Sequence, residues 1–340
     1  MENNLKKYDS KLKEYYEKKD YSKIFDMYLM YEKEVCEVRY LIYALFETGN
    51  WDEFSRIVDI HNEDLFLWED SSKIFGYKGL VAFGSGQYDE AKSNLLISAK
   101  QNGEYSDFAL EWLLTLKLTK FHFVNRQKMN FHFSNELGLE MKKQFIRKYL
   151  DAYYRITKYL PNKCNKSIDI YVFLGWVDDI GNRLSYANTA LCTIHVNVND
   201  DAGHELTHII SSYNLSIKLK FIEEGMAEYY DDLIRGYTIN DDFYELSLYD
   251  CCEKFSLLNK DYTYLFARVF ISHVFEYYEG NLDAAKPILE SCSYEDMLME
   301  VSGCLNCLEK RTKKTIRKLK ETNRCGKLTY IGRSDLYTLP

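Results

Sequence analysis

The chain has 340 residues, more than a single compact core ordinarily fills, and its 46 % hydrophobic and 28 % charged residues exclude a disordered polymer. A net charge of −8 argues against nucleic acid as a partner. The most apolar stretches, such as Phe266 to Phe275, are too short for a bilayer, and the opening MENNLKKYDSKLKEYYEKK has no apolar signal region. Nine irregularly spaced cysteines, an odd number, read as reduced thiols rather than a disulfide framework, so the expectation is a cytoplasmic protein with no membrane contact.

Only three prolines occur, which favours long helices, because proline removes a helical donor and clashes with the preceding turn. Three segments in the first 120 residues share a polar or glycine lead-in followed by an aromatic: Lys19-Asp20-Tyr21, Gly49-Asn50-Trp51 and Gly86-Gln87-Tyr88. Their spacings of 30 and 37 residues bracket the 34-residue period of tetratricopeptide repeats. The third copy resembles such a repeat best, with Gly79 where two helices would pack closely and Ala91 on the second helix. The resemblance implies stacked helix pairs over residues 1–120, serving either as a groove for a protein partner or as a scaffold.

From Phe121 the texture changes. Phe121 to Val124 and Asn130 to Phe133 read as strands, and Leu137 to Tyr159 as a helix burying Leu139, Met141, Phe145, Tyr149, Ala152 and Ile156. Ile168 to Leu174 reads as a strand followed by a loop through Gly175 and Gly181. Thr193 to Val198 reads as a further strand, at a sheet edge. Asn199-Asp200-Asp201 offers caps for a helix starting near Ala202, and the pattern is mainly helical from there to about Lys310. Residues 121–300 are therefore expected to form an α+β unit, strands early and helices late. Between Leu308 and Pro340 ten Lys or Arg stand against three acids, which marks residues 301–340 as a basic tail, read as a solvated face.

The chemistry concentrates in His204-Glu205-Leu206-Thr207-His208, an H-E-x-x-H motif on the expected helix. Residues four apart share a helix face, so His204 and His208 can offer two imidazoles to one ion, with Glu205 placed to act as general base on a metal-bound water. A catalytic zinc takes three protein ligands and keeps a fourth position for water, and a second expected helix carries Glu223-Glu224-Gly225-Met226-Ala227 after a turn at Asn214-Leu215-Ser216.

This pair of segments resembles the gluzincin metallopeptidases, most closely the small peptidase MA-like domains. The resemblance implies Zn2+ held by His204, His208 and Glu224, a peptide or protein substrate, and a substrate-pairing edge strand, for which Thr193 to Val198 is the candidate. Tyr264-Leu265-Phe266-Ala267-Arg268-Val269-Phe270 resembles a late Tyr-x-x-Ala-x-x-Phe pattern in related domains, which implies Tyr264, with Tyr262 in reserve, as the oxyanion donor. Glu228, one turn beyond Glu224, is placed to orient a ligand histidine, and Asp231 less favourably so.

Other candidates are weaker. Cys304 and Cys307 form a lone C-x-x-C that Cys292 and Cys325 would have to complete, and Cys251 and Cys252 read as ordinary thiols. His195 reads as a solvent-facing strand residue beside the cleft, His61, His122, His132 and His273 lack ligand spacing, and Gly84-Ser85-Gly86 lacks the Lys-Ser or Lys-Thr of a phosphate loop. The reading is an α+β zinc peptidase with a helical repeat array in front of a zincin-like domain; the alternative is an inactive zincin-like domain in a binding scaffold.

Overall fold

The computed structural model describes residues 2–31, 38–61, 71–101, 105–118, 122–174, 185–199, 203–231, 237–238, 246–322 and 327–328. Helices dominate them, with one small mixed sheet, an α+β arrangement. No described helix is long and apolar enough to cross a membrane.

Seven helices come first: α1 (Glu2–Glu17), α2 (Tyr21–Tyr31), α3 (Val38–Glu47), α4 (Trp51–Ile60), α5 (Ser71–Gly84), α6 (Tyr88–Lys100) and α7 (Ser106–Leu118). The three repeated segments are the turns of three successive hairpins. In each, a left-handed residue closes the first helix, at Lys19 (φ 53°), Gly49 (φ 71°) and Gly86 (φ 76°). The same pair of bonds recurs: Asp20 N–H to the Tyr15 carbonyl at 2.8 Å, Asn50 to Leu45 at 2.9 Å and Gln87 to Ala82 at 2.8 Å, each beside a bond spanning three residues. This is the Schellman closure, which favours glycine; Lys19 adopts the same backbone at a cost of about 1 kcal/mol. Gly79 is required by packing, since a Cβ there would lie 2.6 Å from Leu95 Cγ across the α5–α6 contact.

The sheet follows: β1 (His122–Arg126), β2 (Met129–Phe133), then helix α8 (Leu139–Thr157), β3 (Ile168–Phe173), β4 (Tyr186–Asn188) and β5 (Thr193–Asn197). Phe121 and the glycine loop after β3 lie outside the described residues. The spatial order is β1-β2-β3-β5-β4, with β2, β3 and β5 parallel and β1 and β4 antiparallel to their neighbours. β5 is thus an inner strand, and the edge expected there belongs to β4, a three-residue strand too short and too polar to register as periodicity. In α8 the expected Phe145, Tyr149, Ala152 and Ile156 are buried, whereas Leu139 is exposed, because it opens the helix before its core-facing stripe begins.

Each inner strand shows both faces to protein. Met129, Phe131, Phe133, Ile168, Ile170, Val172, Ile194 and Val196 point into one core with α8 and the helices that follow. On the opposite face His132, Tyr171, His195 and Tyr186 are register partners across β2, β3, β5 and β4, and their rings stack at 4.5, 5.0 and 4.8 Å. Trp112 of α7 and Phe83 of α5 close over this ladder, so the helical hairpins and the sheet share a core. His195 is accordingly fully buried, its Nε2 2.9 Å from Thr115 Oγ1, and not solvent-facing; the array covers that side of β5.

The remaining helices are α9 (His204–Ser212), α10 (Lys220–Tyr230), α11 (Leu248–Lys254), α12 (Lys260–Tyr277), α13 (Leu282–Leu289) and α14 (Tyr294–Thr322), with a small ribbon of β6 (Tyr237–Thr238) and β7 (Lys327–Leu328). The cap of α9 is Gly203 rather than an Asn or Asp. The expected tail boundary at 301 falls inside α14, whose Leu305, Leu308, Ile316 and Leu319 are buried in the main core. Its lysines and arginines occupy the remaining helix face, so a basic composition and a core-facing stripe coexist on one element.

Candidate metal centre

α9 carries His204 and His208 one turn apart, and α10 carries Glu224 and Glu228 one turn apart, so two i, i+4 pairs face each other where these helices pack. Two glycines seat these helices against their neighbours α8 and α12. Gly203 has φ 128°, and a Cβ on it would lie 2.8 Å from Ala152 Cβ of α8. A Cβ on Gly225 would lie 2.8 Å from Ile271 Cγ1 and 3.0 Å from the Ala267 carbonyl of α12. The Glu-Gly-x-Ala and Tyr-x-x-Ala-x-x-Phe segments therefore meet at Gly225 and Ala267, which explains the small residue in each.

His204 Nε2 lies 3.2 Å and His208 Nε2 3.8 Å from Glu224 Oε2. One donor atom from each of the three residues falls within 4.8 Å of the others, close enough for all three to bond one ion. The other oxygen of Glu224, Oε1, is held 2.7 Å from Lys220 Nζ, which leaves Oε2 directed at the imidazoles. On the far side of His204, Nδ1 faces Glu228 Oε1 at 3.2 Å, and Glu228 is fully buried. This is the acid-behind-histidine arrangement that fixes a ligating tautomer. Asp231 joins His204 and Glu228 in a second cluster, because its extended backbone leaves the helix and turns the carboxylate back.

His208 Nδ1 faces Glu223 Oε1 at 3.8 Å. Glu223 is gripped by Lys220 and by Lys19, each at 3.3 Å, and Lys218 Nζ donates to the Lys19 carbonyl at 2.8 Å. The first helical hairpin is thereby tied to the helix bearing the third candidate ligand. Sequence reasoning passed over Lys220 and Lys19. Lys220 was discoverable from its i, i+3 and i, i+4 spacing to Glu223 and Glu224, whereas nothing in the sequence marks Lys19, 204 residues away.

The charges are tightly linked. Burial works against a proton on His204, but hydrogen bonds to Glu224 and Glu228 and the nearby Glu205 charge raise its pKa well above the ordinary value. Burial, then the His204 charge, lower His208 to about 4. Burial alone would raise Glu224, yet the His204 hydrogen bond and the Lys220 charge hold it below the usual carboxylate range. The result is one anionic carboxylate, one neutral imidazole and one imidazole whose proton a cation would displace. Such a donor set of nitrogens and a carboxylate oxygen fits a divalent transition metal, zinc among them.

Glu205 is 7 % exposed at the first turn of α9. Tyr264 of α12 is partly exposed; burial, then the Glu224 charge, raise its pKa, so it keeps its proton. Cys304 is buried and Cys307 exposed on α14, Cys292 precedes that helix, and Cys325 lies outside the described residues. Compared with known proteins, the chain matches no family model and no curated protein.

Proposed function

We propose that the protein is a zinc-dependent peptidase of gluzincin type, with His204, His208 and Glu224 as ligands. The observation that carries the reading is the convergence of both Nε2 atoms on one Glu224 oxygen, with Glu228 behind His204. Bound zinc would supply Lewis acidity and lower the pKa of a coordinated water. Glu205, one residue from the first ligand, takes the proton from the attacking water and delivers it to the departing amine. The Tyr264 hydroxyl, kept protonated, donates to the developing oxyanion. Lys220 and Glu228 hold Glu224 and His204 in orientation.

The antiparallel strand β4, the edge of the described sheet and packed near α9, lies alongside the extended peptide, in the role the resemblance implied for β5. The helical hairpins, tetratricopeptide-like in their turns, form a wall behind that strand: Phe108 of α7 packs its ring 5.5 Å from that of Tyr186 of β4. The experiment is hydrolysis of a peptide library by the zinc-loaded chain and by Glu205→Gln. Cleavage by the first and not by the second, at equal zinc content, supports the reading. Equal inertness of both would favour a metal-bearing scaffold.

A further inference from the structure

Cys164 follows α8 in the loop that leads to β3, and Cys192 closes the turn between β4 and β5. Their Sγ atoms are 3.2 Å apart, inside the ordinary contact distance of two sulfurs, and both residues are buried. The Cys192 position is not a relaxed packing choice. Cys192 sits at φ 54°, a left-handed backbone that a residue with a Cβ seldom adopts, at the tip of a turn whose carbonyl accepts from Asp169 N–H at 3.0 Å. Cys164 is fixed from its own side, its N–H donating to Asn162 Oδ1 at 3.0 Å. Two segments 28 residues apart are thus braced so that their sulfurs meet.

Tyr213, 37 % exposed at the end of the His204 helix, lies over the pair with its hydroxyl 2.8 Å from Cys192 Sγ. Burial, with the Cys164 sulfur alongside, pushes the Cys192 thiol up to about 12, while the Tyr213 hydrogen bond and the Lys166 ammonium act in the opposite sense.

We infer that Cys164 and Cys192 are a disulfide-forming pair that a small peroxide oxidises within the folded protein. Cys164 sulfur attacks the peroxide oxygen, the O–O bond breaks, and the products are a sulfenic acid and one water. Cys192 sulfur then attacks the Cys164 sulfur; the S–S bond forms, the S–O bond breaks, and the hydroxide leaves with the Cys192 proton as a second water. Two thiols and one hydrogen peroxide become one disulfide and two waters. The new bond closes a loop containing β3 and the edge strand β4, so it staples the turn behind that edge. Nothing in this inference requires the metal reading.

The test is peptide mapping by mass spectrometry, without reduction, of the full chain after brief exposure to hydrogen peroxide. The expected result is a cross-linked pair of peptides containing Cys164 and Cys192, two hydrogens lighter than their sum, with titratable thiols falling from nine to seven. Dithiothreitol should reverse both changes, and the oxidised chain should melt several degrees higher. Cys164→Ser and Cys192→Ala should each abolish the cross-link; the untreated chain compared with the oxidised one provides the same contrast without any substitution. Peroxide that leaves both thiols reduced, joins either to another cysteine, or carries either to the sulfinic acid would overturn the inference.

Discussion

Two pairs of histidines flank the same sheet, and they differ in what stands behind the rings. On one face His132 and His195 are part of an aromatic ladder, stacked against Tyr171 and Tyr186 and roofed by Trp112. Burial drives His195 to about 3, and the nearby His132 adds to the effect, so it is a neutral, structural ring. On the other side, His204 is equally buried but has carboxylates at both nitrogens, and its pKa moves the opposite way. Burial alone does not mark a site. Nor does a single carboxylate, since His132 Nε2 lies 2.7 Å from Asp169 Oδ1; two imidazoles converging on one buried carboxylate do, because burying that charge is costly unless something positive shares the space.

The sharpest way to break this comparison is to remove a ring from each region. His204→Ala, His208→Ala and Glu224→Ala should each weaken zinc binding by at least about 1000-fold, measured by competition with a chromophoric chelator. His195→Ala should leave the affinity within a few fold and act on stability. Trp112→Ala, opening the roof of the ladder, should cost about 3 kcal/mol in denaturant unfolding while the folded fraction still binds zinc. Loss of metal in that variant would mean that the two regions are not separable.

Smaller changes sharpen the contrast. Glu228→Gln keeps the shape but removes the charge behind His204, and should lower zinc affinity about tenfold. Glu111 of α7 is buried against Tyr186, and its carboxyl is pushed up to about 8 by burial. The folded chain therefore holds a proton there that the unfolded chain releases near 4.5, so stability falls as pH rises from about 4.5 to about 8. Glu111→Gln should flatten that slope and raise stability at pH 8 by about 1 kcal/mol or more, seen in melts across pH. Lys19→Ala, which cuts a partly exposed ion pair to Glu223, should be the mildest, below about 1 kcal/mol in stability.

The H-E-x-x-H and Glu-Gly-x-Ala segments were legible because helical spacing converts directly into side-chain direction: His204, His208, Glu224 and Glu228 fall where i, i+4 geometry puts them. The hairpin turns were legible too, since glycine after a helix and an aromatic two residues later are local signals. What was hidden is non-local. β4 has three residues, no apolar alternation and no pattern to detect, so the sheet edge was assigned to β5. The burial of His195 depends on α7, at least 80 positions earlier, through Thr115 and Trp112. The stripe of α14 was masked by its own lysines. Asp231 joined the histidine cluster only because the backbone leaves the helix at that residue.

Three side chains on two neighbouring helices are proposed to hold one zinc ion. Metal content per folded chain, measured by inductively coupled plasma mass spectrometry after dialysis against trace zinc, tests it most directly. The account requires one zinc per wild-type chain, one in Glu205→Gln, and none in Glu224→Ala. A wild-type chain that retains no metal, or a Glu224→Ala chain that keeps a full equivalent, would contradict it.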